Sequence, residues 1–128
     1  MYSDTPSAAI IMANRSGIIT YWNTAASELF GYSAKEALGA SLDLMVPPEY
    51  QERHWQGFHR VLDGGPATFE GRAANIPVKC KDGQILAFPA RFVVIRDPHE
   101  RPVGAMAIAS SRVGTELPWT PVSSGSRD

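Results

Sequence analysis

Apolar positions in this chain fall into two short β-type runs, a stretch of helical spacing, and three longer β-type runs. Ala8–Ala13 and Ile18–Trp22 flank the turn cluster Asn14–Gly17 and predict a hairpin. Asn23 then predicts a helix start, because its side-chain oxygen can accept an otherwise unpaired backbone N–H, and Gly31 predicts the stop. Ser33–Glu36 has capping-box spacing and predicts a second short helix ending at Gly39. Leu42, Leu44, Met45 and Val46 form an apolar patch before Pro47 and Pro48, a pair suited to a helix start. From Glu49 to Leu62 the spacing is helical, with Trp55, Phe58, Val61 and Leu62 on one stripe. Ala67–Lys79 and Gln84–Arg96 flank the hairpin turn Lys81–Gly83, and Val103–Val113 supplies a last strand with alternating alanines. The order predicts an α+β architecture: an antiparallel sheet with helices gathered on one face.

Composition narrows the class. With 128 residues, 44% hydrophobic and 20% charged, the chain suits one globular domain with its own core. A net charge of -1 gives no footprint for nucleic acid or an anionic membrane. Cys80 is the single cysteine, so no disulfide can form within the chain. No apolar run reaches bilayer length and no signal-peptide pattern opens the chain, so the expected location is cytoplasmic.

Three segments resemble a PAS domain: the Asn14–Ile19 turn, the Trp22–Tyr32 helix, and Lys79–Gly83 followed by Phe88 and Pro89. The resemblance covers about residues 8–112. It implies a PAS fold, in which a five-stranded antiparallel sheet and short helices on one face enclose a ligand cavity. The expected domain runs over 8–113, between an N-terminal lead at 1–7 and a flexible tail at 114–128. PAS domains hold haem, flavin, organic acids, metal ions or nothing, so the fold leaves the ligand open.

A narrower resemblance lies in Pro48–Arg60, which is similar to the haem-binding helix of the rhizobial oxygen-sensor kinases. It implies haem b, with His54 of the Arg53–His54 pair as axial metal ligand and Arg60 at a haem propionate. The distal arginine of those kinases would fall near Ala74. Arg72, two residues away on the same strand face, takes that place, or no distal donor exists.

The residues suit that chemistry. At about 100° per residue, His54 lies roughly 50° from the centre of the apolar stripe and points inward, while His59 lies roughly a quarter turn away. A neutral imidazole is a good iron ligand. Phe58 on the helix, with Phe69, Phe92, Val94 and Met106 from the sheet, would line a flat apolar slot. Such a histidine also serves as an ordinary core residue with a hydrogen-bond partner. The alternative expectation is therefore a cofactor-free or small-metabolite PAS domain acting as a dimerisation module.

The remaining candidates are bland. Cys80 reads as a half-exposed thiol before a turn, outside the helix motif of the flavin photoreceptors. His54 and His59 point apart, and His99 sits in a solvated turn. No catalytic triad, phosphate loop or carboxylate pair is visible, so an enzyme is not expected. The expected partners are a diatomic gas, a second copy through the sheet face, and a downstream effector domain or protein. The Met1–Ser7 lead is too short to supply a flanking helix.

Overall fold

The computed structural model describes residues 8–65, 70–71 and 73–111. Five strands form one antiparallel sheet in the order β2-β1-β5-β4-β3. They are β1 (Ala9–Asn14), β2 (Ile19–Trp22), β3 (Ala74–Lys79), β4 (Ile85–Arg96) and β5 (Pro102–Ala109). Between β2 and β3 come α1 (Thr24–Phe30), α2 (Ala34–Ala37), a 3₁₀ turn (Leu42–Leu44) and α3 (Pro48–Leu62). This is the expected α+β arrangement. The last described strand, β5, fills the sheet centre and joins the N-terminal hairpin to the β3–β4 hairpin.

Local polar chemistry sets the early elements. Asn14 Oδ1 accepts from the N–H groups of Ser16 (2.9 Å) and Ile18 (3.1 Å), which closes the β1–β2 turn. Asn23 Oδ1 caps α1 at Ala26 (2.9 Å) and also accepts from Ile10 N–H (3.0 Å), tying the helix start to β1. Gly31 ends α1 at φ 92°, and a Cβ there would stand 3.1 Å from Lys81 Cβ. Ser33 and Glu36 form the predicted capping box. Helix α2 leaves helical geometry at Leu38, just before the expected stop at Gly39. Pro48 opens α3 as its first residue, one position before the expected start.

The main core lies under α1 and α2. Phe30 meets Phe88 edge-on at 5.0 Å between ring centroids, and Trp22 meets Tyr32 at 6.2 Å. Trp22 Nε1–H donates to Tyr32 O (3.0 Å), and the Tyr32 hydroxyl donates to Lys79 O (2.7 Å). Cys80 belongs to this core at 6% exposure, not to the half-exposed position expected of it, because it packs with those aromatics before the turn. A second, smaller cluster joins Val61 and Leu62 of α3 to Val94 of β4, with Phe58 against it.

Two strands are shorter than the sequence suggested. β3 begins at Ala74, not Ala67, and upstream of it Glu70 makes a single parallel bridge to Phe92. Gly71 takes φ 78°, a left-handed turn that breaks the strand, and Arg91 donates to its carbonyl (2.6 Å). β5 ends at Ala109 where continuation to Val113 was expected. The 1–7 lead, the 114–128 tail and Val113 at the domain limit lie outside the described residues.

Candidate functional site

Between α3 and the middle of the sheet lies a cavity of about 310 Å³. Its floor follows from strand register. Ile11 pairs with Ala107, Ala13 with Ala105, and Ala107 with Phe92. Side chains alternate across a sheet, so these residues share the inner face. Three of them are alanines on β1 and the central strand β5, and their short side chains leave space beneath the helix. Ile76 and Val78 of β3 and Leu42, Met45 and Val46 near the 3₁₀ turn close the sides.

The roof is one face of α3. Tyr50, Arg53, His54, Gly57 and Phe58 line the cavity, and their spacing is that of a single helical face. Gly57 contributes no side chain, and a Cβ built there meets nothing within 4 Å. Trp55, assigned by sequence to the same inward stripe, turns sideways instead. Its indole N–H donates to Asp43 Oδ1 (2.7 Å), and its ring lies over Gly17 so closely that a Cβ at Gly17 would fall 2.2 Å from it. His59 stacks on the other side of Trp55 at 5.7 Å and stays exposed.

His54 is the chemically distinctive wall residue. Its ring stacks on Phe58 at 5.7 Å and 29°, with Trp55 edge-on at 4.8 Å. Its Nδ1 is buried and, among the described residues, is the one buried side-chain nitrogen or oxygen without a hydrogen-bond partner. Leaving such a group unpaired costs about 1–3 kcal/mol. Burial lowers the His54 pKa from its ordinary 6.5, Asp43 opposes that shift, and His59 adds to it. The imidazole is therefore neutral near pH 7; Nδ1 is closed off by its surroundings, which leaves Nε2 as the ring nitrogen a ligand atom could reach.

The other sequence candidates separate. Phe92 reaches the cavity from the inner face. Met106 also touches the wall, but its register partners are Met12 and Val93, so its side chain belongs to the outer sheet face. Val94 shares the inner face with Phe92, yet it is buried against Val61 and Leu62 and does not line the cavity. Ala74 stands opposite Ala90 at the start of β3, off the wall. Arg60 is exposed near the end of α3, also off the wall, with its stem against Gly65. Phe69 and Arg72 lie outside the described residues. Sequence reasoning missed Tyr50, Arg53 and Gly57. The signal was there in their spacing around His54, but the face they form is not apolar enough to stand out.

The donor set suits a haem iron better than a free metal ion. Among the described residues no three His, Cys, Asp or Glu side chains cluster to hold a metal. A haem iron would need only one ligand atom from the protein, and a neutral imidazole in an apolar wall is a group of that kind. Among the described residues, no helix is long and apolar enough to cross a membrane.

Comparison with known proteins places this geometry in context. The model of the PAS fold family matches residues 4–111. The oxygen sensor protein DosP of Escherichia coli is 27% identical over 73 residues, 57% of this chain and 9% of that protein. The chain spans about a tenth of the length of the curated relatives it matches. Among solved structures, a PAS domain from Colwellia psychrerythraea superposes with a TM-score of 0.69 at 24% identity, over 81% of this chain and 85% of that one. The PAS domain of the Cronobacter turicensis RpfR quorum-sensing receptor, in complex with BDSF, superposes with a TM-score of 0.63 at 15% identity, over 87% and 98%.

Proposed function

Because this chain belongs to the PAS family, we propose that it is a cytoplasmic sensory domain holding haem b beneath α3, with His54 as axial ligand. The observation that carries this reading is the His54 imidazole, held neutral by burial in the wall of an apolar cavity and closed off at Nδ1, so that Nε2 is the nitrogen free to bind. The similarity to an oxygen sensor protein supports it. When bound, haem supplies an iron centre that takes oxygen, carbon monoxide or nitric oxide, or reports redox state. The chain's own part is to hold that group. His54 presents a lone pair, Phe58 fixes the ring plane by stacking, and the alanine floor and Gly57 keep the space open. The apolar wall would limit water around such a group and so favour its bond to the imidazole.

The output passes to a second copy through the outer sheet face and to an effector domain or protein, not through catalysis. Helix α3 is the carrier, because its last turn is held to the sheet. Arg15 in the β1–β2 turn donates to Leu62 O (2.8 Å) and to Pro102 O (2.7 Å) at the start of β5. A ligand shifts such a system only by its differential affinity for two states.

Titration of hemin into the purified domain tests the assignment. A sharp Soret band is expected, and His54→Ala should abolish or shift it. An identical band in His54→Ala would reject His54 as ligand. A second reading rests on the cavity volume. About 310 Å³ lies at the small end of the roughly 300–1,000 Å³ range of small-molecule sites. An apolar metabolite without iron suits that space, and the RpfR PAS domain is a relative in fold that was solved in complex with a ligand, BDSF. Absence of any Soret band would favour this reading.

A further inference from the structure

The cavity wall carries one charged side chain, Arg53. Every other described lining residue is apolar except Tyr50 and His54, and no carboxylate is among them. Arg53 itself makes no ion pair or hydrogen bond among the described residues. Glu49, one turn earlier on the same helix, does not reach it. Arg53 is exposed, so it stands at the cavity mouth, where the apolar space meets water.

We infer that Arg53 is the anion-recognition residue of this cavity, and that the cavity takes an amphipathic carboxylate, its apolar body inside and its carboxylate on the guanidinium. This rests on the reading of the cavity as a ligand site and deepens it. A guanidinium matches a carboxylate with two parallel hydrogen bonds. Low-dielectric walls focus its field toward the mouth. A neutral apolar molecule would leave Arg53 to water and gain nothing from it, and a cation would meet it with like charge. Within the haem reading, the porphyrin's carboxylate then falls to Arg53 instead of Arg60. Arg53 adjoins His54 and lies in the wall, whereas Arg60 lies outside it. A free aliphatic acid would present the same chemistry from a second source.

The test compares wild type, Arg53→Gln and Arg60→Gln against four probes: hemin, its dimethyl ester, decanoic acid and methyl decanoate. Affinity is read by quenching of tryptophan fluorescence. Arg53→Gln should weaken binding of hemin, decanoic acid or both by about five- to tenfold, the size expected of a partly screened charged hydrogen bond. It should leave the esters unchanged, and Arg60→Gln should change none of the four. Equal loss for acids and esters, no loss in Arg53→Gln, or no binding of either acid would overturn the inference. The two readings fail separately. An Arg53-dependent preference for decanoic acid, with no Soret band from hemin, would sink the haem assignment and keep this one. A His54-dependent Soret band that is indifferent to Arg53 would do the reverse.

Discussion

At the scale of single residues, the site is governed by which side of a strand or helix each side chain occupies. Met106 and its neighbours Ala105 and Ala107 show this most clearly. The alternating alanines of the last strand were visible in the sequence, but the register that sends them inward and Met106 outward depends on pairing with β1 and β4. One position of slip exchanges the faces. His54 was legible because an imidazole within an otherwise apolar stripe stands out. Its missing partner was not, since that is a property of everything packed around it. Its protonation gives a prediction. Burial holds its pKa below 6.5 in the folded protein, so the unfolded chain takes up the proton first as pH falls. The stability tied to neutral His54 is therefore complete above about 6.5 and is lost as pH drops from there through the lowered value. Urea unfolding from pH 7.5 to about 5 should show wild type losing stability relative to His54→Phe. Parallel curves would mean that the imidazole is as well hydrated in the fold as outside it.

At the scale of elements, helix α3 has two jobs along one broad face. Phe58, Val61 and Leu62 anchor its C-terminal half to the sheet, while Tyr50, Arg53, His54 and Gly57 roof the cavity. The anchoring face was legible because burial demands apolar side chains at helical spacing. The roofing face was not, because a wall around empty space needs no bulk. Gly57 is the clearest instance. In a helix interior it costs about 1 kcal/mol relative to alanine, and nothing packed against it requires a glycine. Gly57→Ala should raise the urea midpoint by about that amount, and Gly57→Leu should fold while losing hemin or decanoic acid binding more than tenfold. Retained binding in the leucine variant would move the ligand away from this face. The caps at Asn23 and Ser33 and the turn at Asn14 were readable because each bond spans only a few residues. The Arg15 clasp joins groups 47 and 87 positions apart, which no local pattern reveals. Arg15→Met should cost about 1–2 kcal/mol, read as a lower urea midpoint with an unchanged slope.

At the scale of the whole molecule, the sheet separates the face that bears the cavity from an outer face. The inner face carries the cavity and both cores. On the outer face, the register aligns Tyr21, Met12, Met106 and Val93 in one row and sets Ile10 beside Ile108. A row of this kind, with Tyr21 at 45% exposure, is the surface on which a second copy would pair. Sedimentation equilibrium should show wild type self-associating and Met12→Glu monomeric with its hemin spectrum unchanged; a monomeric wild type would remove the sheet face from the signalling route. Such a route needs the ligand to act on α3, and therefore needs the iron to be held by that helix. Resonance Raman spectroscopy of the ferrous complex reads this bond through its iron–histidine stretch. The account predicts the band in wild type, its loss in His54→Gly, and its return when free imidazole fills the vacated space. An undiminished band in His54→Gly would contradict it.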